Sequence, residues 1–269
     1  MSSRTPVDVA VIEDLFSVPA SRVAAIRALE PLLTRGTRVA LSTHLNADGD
    51  GCGSEAALAR LLTQRGMHVR IVNPTPWPEL FRFLLGDDVE DATPRGAAAL
   101  DDIDLLLVLD INDVRRLGVL ADTVRTLAVP IGVIDHHVPG EEPVGHVTYA
   151  DTTACATGEL IFDLARTLGL TITPAIAESL YCALLTDTGG FRFSNTSPRA
   201  HAVAAALLAA GVAPEAMYRR IYAQVKPARL HLLREALGTL RIDESIGLSW
   251  ISLTHEVVQG TGATTDDVD

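Results

Sequence analysis

The sequence predicts an α/β protein: a parallel sheet with helices on both faces, followed by the start of a smaller α/β domain. Two observations support this prediction. Short apolar runs alternate with longer segments whose apolar residues recur at helical spacing. The chain has 269 residues, of which 48% are hydrophobic, so it can bury a substantial core. Strands that alternate with helices pair in parallel, because each helix carries the chain back across the sheet.

The predicted elements follow in order, beginning with a helix over about 21–33. Five apolar runs are predicted to be strands of the main sheet: 38–43, 68–73, 104–110, 130–135 and 146–150. Segments with apolar residues every three or four positions are predicted to be helices: 54–65, 115–127, 154–168, 174–186, 198–210, 214–223 and 228–237. Two further apolar runs, 240–243 and 248–253, are predicted to form the first hairpin of the second domain.

One imidazole and two carboxylates follow the first predicted strand closely. His44, Asp48 and Asp50 are separated by small residues and glycine, which allow the backbone to turn tightly. Helical sequence follows, so we expect a loop between a strand and a helix N-terminus, a place where open α/β sheets bind ligands and phosphate. Taken alone, the segment is equally well explained as a solvated acidic turn.

Three later segments end in the same residue types. Asp110 ends one predicted strand, Asp135, His136 and His137 end another, and Asp187 ends an apolar, helix-like stretch. Because the carboxyl ends of parallel strands share one edge of a sheet, we expect these side chains to converge. A single strand-terminal aspartate often caps a helix, but four such ends carrying only aspartate and histidine predict a shared metal site.

The ligand types favour hard or borderline divalent cations. Oxygen and imidazole ligands suit Mn²⁺ or Mg²⁺ better than a structural zinc site, and the three cysteines are dispersed without a Cys-x-x-Cys pair. The candidate ligands are too many for one open catalytic ion but suffice for two ions if one carboxylate bridges. They are His44, Asp48, Asp50, Asp110, His136 and Asp187.

These segments resemble the DHH-family phosphoesterases, named for the triplet present here as Asp135-His136-His137. Within that family, the motif over 44–54 and the Thr-Asp-Thr-Gly-Gly-Phe-Arg-Phe-Ser-Asn-Thr segment over 186–196 are similar to the nano-RNase and pAp phosphatase branch, as is the helix start at 156–159. The resemblance covers most of residues 37–200. It implies a catalytic DHH domain followed by a substrate-binding DHHA1 domain.

The resemblance also implies how the ligands divide between two ions. One ion is held by His44, Asp48 and Asp110. The other is held by Asp50, Asp110, His136 and Asp187, so that Asp110 bridges.

Further site roles follow from the resemblance or stay open between two interpretations. The resemblance implies that His137 faces the substrate phosphate or leaving group and that Asp135 supports the histidine pair. Arg192 is a candidate for contacting the phosphate or a residue of a solvated loop. Asn46 is a candidate for binding substrate or for a hydrogen bond within the metal loop, and Ser54 for binding phosphate or for capping the helix that it opens.

The domain limits predicted from the resemblance are a DHH catalytic domain over 1–197, a helical connector over 198–226 and an incomplete DHHA1 domain over 227–269. DHHA1 domains of this branch continue with a strand carrying arginine and a Gly-Gly-Gly-His segment, and neither occurs in this sequence. We therefore expect a fragment, a truncated gene product or an unusual natural form.

The predicted function is a two-metal phosphohydrolase that uses two Mn²⁺ ions, with Mg²⁺ as the alternative. The resemblance implies short RNA oligonucleotides, linear dinucleotides and pAp (3′-phosphoadenosine 5′-phosphate) as substrates. Three alternatives stay open: a family II pyrophosphatase or exopolyphosphatase, a RecJ-like exonuclease, and a catalytically weak nucleotide-sensing module.

Charge and composition limit the kinds of molecule that the protein is expected to bind and the compartment in which it is expected to act. The net charge of −12 argues against a protein that coats long nucleic acid, although two cations in a cleft would still attract short anionic substrates. No apolar signal core is present near the N-terminus, and the longest apolar run, 202–210, is shorter than the ~20 residues of a membrane span. Dispersed cysteines suggest a reducing compartment, so we expect a cytoplasmic protein without membrane contact. A homodimer stays open.

Overall fold

Six parallel strands form one sheet in the computed structural model, which describes residues 15–223 and 226–263. The strands are β1 (Arg38–Ser42), β2 (His68–Ile71), β3 (Glu90–Asp91), β4 (Leu105–Leu109), β5 (Ile131–Asp135) and β6 (Val147–Ala150). Their order is β3-β2-β1-β4-β5-β6, so the direction of winding reverses between the neighbours β1 and β4. The predicted parallel sheet is confirmed. Strand β3 was missed because two residues show no periodicity.

Helices cover the two faces of this sheet. The helices between residues 20 and 222 are α1 (Ala20–Leu29), α2 (Gly49–Gln64), α3 (Ala121–Thr126), α4 (Thr157–Thr167), α5 (Pro174–Asp187), α6 (Pro198–Ala209) and α7 (Pro214–Tyr222), of which the last crosses the boundary between the two compact units of the chain. On one face α1 contacts β6, α2 contacts β1 and α4 contacts β5. On the other, Leu106 and Val108 of β4 belong to a buried cluster with Leu117, Leu120 and Val124.

Four short 3₁₀ helices connect these elements: Glu30–Leu32, Glu79–Leu84, Thr93–Leu100 and Val114–Leu120. The last of them corrects a prediction, because the expected single helix over 115–127 is instead a 3₁₀ segment followed by the short α3. Gly118 interrupts the segment with a φ of 49°, and a Cβ there would lie 2.5 Å from Cδ2 of Leu45. The close approach of Leu45 therefore requires glycine.

The glycines after β1 also correct a prediction. We expected them in a loop with a helix starting near residue 54, but α2 begins at Gly49. A Cβ on Gly53 would lie 2.4 Å from the carbonyl oxygen of Ser179, and a Cβ on Gly49 would lie 2.4 Å from Cγ2 of Thr186. The absence of side chains at these glycines allows α2 to pack closely against α5. A side chain at either position would collide with α5.

The described chain divides into two compact units, Met1–Met217 and Tyr218–Asp269. The second unit contains α8 (Pro227–Gly238), the antiparallel hairpin of β7 (Arg241–Asp243) and β8 (Leu248–Trp250), and α9 (His255–Thr261). The predicted hairpin is present, and its second strand is shorter than expected. The domain limits taken from the resemblance stay a prediction.

No single helix among the described residues has the length and hydropathy of a membrane span. In the part of the chain that the structure describes, one pair of helices, α6 and α7, is together long and apolar enough, but the pair is bent by 110°.

Candidate metal centre

The predicted ligands meet at the carboxyl edge of the sheet, where β1, β4 and β5 lie side by side. His44 follows β1, Asp110 directly follows β4, and His136 directly follows β5. Nε2 of His44 lies 3.5 Å from Oδ2 of Asp110, and Nε2 of His136 lies 3.5 Å from Oδ1 of the same carboxylate. The three strand ends therefore bring their side chains together, and Asp110 presents a different oxygen to each histidine.

Asp48 and Asp50 reach this edge from the first turn of α2. Asp48 caps the helix, because its Oδ1 accepts hydrogen bonds from the amides of Asp50 and Gly51 over 3.0 Å each. The same oxygen lies 3.8 Å from Nε2 of His44. Asp50 is buried, and its Oδ2 lies 3.6 Å from Nε2 of His136. The helical turn therefore separates the two carboxylates and directs one to each histidine.

Asp187 approaches from the last residue of α5. Its Oδ2 lies 3.8 Å from Nε2 of His136. Nδ2 of Asn195 donates to this Oδ2 and to the carbonyl oxygen of Asp187, over 3.1 Å each. Asn195 thus holds the carboxylate in place after the helix has ended.

Two groups of potential ligands result, each with its ligand atoms within 4.8 Å of one another. One group is His44, Asp48 and Asp110, and the other is Asp50, His136 and Asp187. Asp110 adjoins the second group through Oδ1. The ligand atoms of a third group, Asp110, His136 and His137, also lie within 4.8 Å of one another. Distance alone therefore also permits His137 as a ligand.

The orientation of the imidazoles fits a cation at each group. Nδ1 of His136 lies 3.3 Å from the carbonyl oxygen of Ala154, and Nδ1 of His44 lies 2.8 Å from that of Leu45. A carbonyl can only accept, so each Nδ1 carries a proton, and each Nε2 is the nitrogen that faces the carboxylate oxygens, where either a proton or a metal cation can bind it. Nε2 of His136 is buried and has no hydrogen-bond partner among the described residues. A divalent cation between these acceptors would satisfy them.

The pKa values of the clustered residues also favour a bound cation. Burial, and then the charge of Asp50, raise the pKa of Asp110 well above its ordinary value. Burial and Asp50 likewise raise the pKa of Asp187. Burial opposes protonation of His44, but its hydrogen bonds with Asp110 and Asp48 outweigh burial and raise its pKa. The cluster holds more negative charge than its own residues neutralise, and this raises its affinity for metal cations.

His137 lies beside this centre with its side chain 45% exposed. Its backbone amide and its Nδ1 both contact Oδ1 of the buried Asp135, at 3.0 and 2.9 Å. The hydrogen bond to Asp135 is the largest cause of a raised pKa for His137. Asp135 therefore orients the ring through Nδ1, and Nε2 takes no part in this hydrogen bond.

The three other predicted site residues differ in exposure. Asn46 is exposed and has a left-handed φ of 55°, and its amide donates to Oγ1 of Thr75 over 2.9 Å. Arg192 is also exposed, and its Nε donates to the carbonyl oxygen of Gly189 over 2.6 Å. Ser54 does not open a helix as expected. It lies buried inside α2 and donates to Oδ1 of Asp50 over 3.0 Å.

Two residues that contact the ligands were given no role by sequence reasoning. Asn195 holds Asp187, and Oγ1 of Thr157 donates to Oδ1 of Asp110 over 2.9 Å. Both lie in segments that resemble the family, and that was the only signal available for them.

The family model described as "DHH family, N-terminal domain" matches residues 38–184, more than half of the chain. The chain is 31% identical over 240 residues to the bifunctional oligoribonuclease and PAP phosphatase NrnA of Thermus thermophilus, with 85% of this chain and 66% of the relative covered. It is 27% identical over 188 residues to the protein of the same name from Bacillus subtilis, with 68% and 56% covered.

A solved structure agrees in fold. An exopolyphosphatase-related protein from Bacteroides fragilis superposes with a TM-score of 0.84 at 24% identity, over 91% of this chain and 74% of that one. The matched region spans about two thirds or less of the curated relatives. From the family match, the sheet and the motifs at its carboxyl edge, the chain belongs to the DHH family.

Proposed function

We propose that this chain is a two-metal phosphohydrolase that degrades short oligoribonucleotides or linear dinucleotides and dephosphorylates pAp. The observation that supports this most strongly is the position of Asp110, whose Oδ2 faces His44 and whose Oδ1 faces His136. A carboxylate shared between two ligand groups is typical of two-metal hydrolytic centres. The names of the curated relatives supply the substrate class.

The proposed ligands are those of the two groups, with Asp110 common to both. Oxygen and imidazole donors favour Mn²⁺, and Mg²⁺ is the alternative. When bound, two such cations neutralise developing phosphoryl charge and lower the pKa of water. The chain itself contributes the spacing of the two groups of ligands.

His137 is the proposed proton donor. The hydrogen bond to Asp135 raises the pKa of His137, since it stabilises the imidazolium. Nδ1 is held by Asp135, so Nε2 of the half-exposed ring can donate a proton to a leaving oxygen or a hydrogen bond to phosphate. Asp135 acts through His137 and is a positioning residue.

Arg192 and Asn46 are the proposed substrate contacts. Both are exposed, and the planar guanidinium of Arg192 suits phosphate, which it can grip with two parallel hydrogen bonds. Ser54 is buried and donates to Asp50, so we assign it the positioning of that carboxylate.

The test is a substrate panel. The purified chain with Mn²⁺ should hydrolyse pAp and pApA, with little activity on pyrophosphate or on a long single strand. Preference for pyrophosphate would favour a pyrophosphatase, and preference for the long strand would favour an exonuclease. Binding of pAp without turnover on any substrate would favour a sensing module. Chelator and the Asp110→Asn variant serve as controls for contaminating activity.

A further inference from the structure

The N-terminus of α4 lies directly behind the second group of ligands. The hydroxyl of Thr157 donates to Oδ1 of Asp110 over 2.9 Å. The amides of Thr157 and Gly158 donate to Oδ2 and Oδ1 of Asp50 over 2.6 and 3.0 Å. Thr157 and both carboxylates are buried, so water does not compete with these bonds.

The same stretch of chain reaches the other two ligands of that group. The carbonyl oxygen of Ala154 lies 3.3 Å from Nδ1 of His136. The carbonyl oxygen of Cys155 accepts from Nδ2 of Asn195 over 3.0 Å, and Asn195 in turn holds Asp187. The 154–158 segment is thus bonded to Asp50, Asp110 and His136 directly and to Asp187 through one residue. None of its hydrogen bonds reaches His44 or Asp48 among the described residues.

A buried ion cluster anchors this segment from behind. Oε2 of Glu159 accepts from the amide of Cys155 over 2.9 Å. Oε1 of Glu159 accepts from Nη1 of Arg22 over 2.5 Å and from Nε of Arg199 over 3.2 Å, and both arginines also bond to Asp163. Glu159 and Asp163 are almost completely buried. Buried ion pairs contribute little net stability, but their geometry can specify one arrangement of the chain.

We propose that Thr157 is a positioning residue for one of the two metal positions, the one between Asp50, His136 and Asp187, and that the cluster around Glu159 holds Thr157 in register. This inference rests on the proposed two-metal centre. The carboxyl torsion of an aspartate is soft, so the Thr157 hydroxyl sets the rotation of Asp110 by occupying one lone pair of Oδ1. The remaining lone pair of Oδ1 then points towards His136.

The test compares Thr157→Val with Thr157→Ser. Valine keeps the shape and loses the donor, and serine keeps the donor. The readout is Mn²⁺ binding by calorimetry without substrate, together with the melting temperature in chelator. Thr157→Val should weaken one of the two Mn²⁺ binding steps by about 10–100-fold, since supporting hydrogen bonds to metal ligands have effects of this size, and weaken the other step less, because that step also uses Asp110. Thr157→Ser should bind like the wild type.

Thr43→Val is the matched control. Thr43 is equally buried, and its hydroxyl donates over the same 2.9 Å to the carbonyl oxygen of Leu109 and not to a ligand carboxylate. It should lower the melting temperature without selectively weakening one Mn²⁺ step. Unchanged Mn²⁺ binding by Thr157→Val, or equal weakening of both steps, would overturn the inference. If Thr157→Val does not fold, Thr157→Ala replaces it.

Wild-type protein that binds fewer than two Mn²⁺ ions would instead overturn the two-metal proposal, and the inference with it. The role of the cluster is tested with Glu159→Gln in a double-mutant cycle with Thr157→Val. We expect the double variant to lose no more Mn²⁺ affinity than the single variant with the larger loss. Additive losses would separate the cluster from Thr157.

Discussion

Oδ1 of Asp110 lies 3.5 Å from Nε2 of His136, a buried nitrogen without a hydrogen-bond partner among the described residues. Since Nδ1 of His136 faces a carbonyl oxygen, the neutral ring has its lone pair on Nε2, directed at a carboxylate. Two acceptors that face each other repel unless a proton or a cation lies between them. A cation between Asp110 and His136 would remove this repulsion.

Asp110→Asn should abolish binding of both Mn²⁺ ions and all turnover, because the shared carboxylate is lost. Asparagine is the suitable replacement, since Asp110 has a left-handed φ of 63° that asparagine tolerates. The metal-free variant should be at least as stable as the metal-free wild type at neutral pH, because burial disfavours the charged Asp110. Calorimetry and the melting temperature measure the two effects.

Asp113→Asn is the control for this variant. Asp113 lies three residues away, caps the following 3₁₀ helix and pairs with Arg115, but it belongs to neither ligand group. Its substitution should lower the melting temperature only slightly, since asparagine also caps helices, and leave Mn²⁺ binding intact. Near-normal turnover by Asp110→Asn would exclude it as the bridging ligand.

His137→Ala should lower kcat by about 10²–10⁴-fold, the usual contribution of a general acid, with two Mn²⁺ ions still bound. Single-turnover kinetics with pApA and metal analysis of the dialysed protein measure these quantities. Loss of one ion would identify His137 as a ligand and would overturn its role as a proton donor. A role as a ligand is compatible with the distances between Asp110, His136 and His137.

Arg192→Ala should raise KM for pAp by about 10–100-fold, since a hydrogen bond to a charged group contributes about 1.5–3 kcal/mol. Arg192→Lys should recover part of this loss, because the ammonium keeps the charge but lacks the planar fork. The exposed Arg82, on the 3₁₀ helix Glu79–Leu84, supplies the control variant Arg82→Ala. Equal KM values for Arg192→Ala and Arg82→Ala would place Arg192 outside the substrate site.

Glu55 predicts a pH dependence of stability. Burial raises its pKa to about 8 although Asn73 donates to its Oε2 over 2.8 Å. A carboxyl group with a raised folded-state pKa is protonated when folded and ionised when unfolded between its two pKa values. Stability is therefore fully present below the unfolded pKa and falls as the pH rises towards 8, by up to about 1.4 kcal/mol per pH unit.

Glu55→Gln copies the protonated form and should remove this dependence. In chelator, the variant and the wild type should have similar melting temperatures near pH 4, and the variant should melt higher at pH 8. Denaturant unfolding across that range measures the difference. Parallel profiles would show that Glu55 is ionised in the folded protein.

Sequence patterns predicted the sheet and the convergence of the candidate ligands at its carboxyl edge; that these residues bind metal stays a prediction. The buried strands are short runs of apolar residues, and the ligands stand directly after them, as with Asp110 after β4 and His136 after β5. In a parallel sheet such positions converge whatever the length of chain between them. The predicted helix limits were wrong where contacts between distant parts of the chain determine the local structure. One example is the break at Gly118, which accommodates Leu45.

By itself, the sequence determined which residues stand at the carboxyl edge of the sheet, because strand length and the position of each ligand after its strand are local properties. Only the tertiary structure decided what surrounds those ligands. Gly49 and Gly53 are helical because α5 lies against α2 at Thr186 and Ser179, and Thr157 supports Asp110 because α4 begins beside it. Such contacts join residues far apart in the chain, and packing between elements has no counterpart in local spacing.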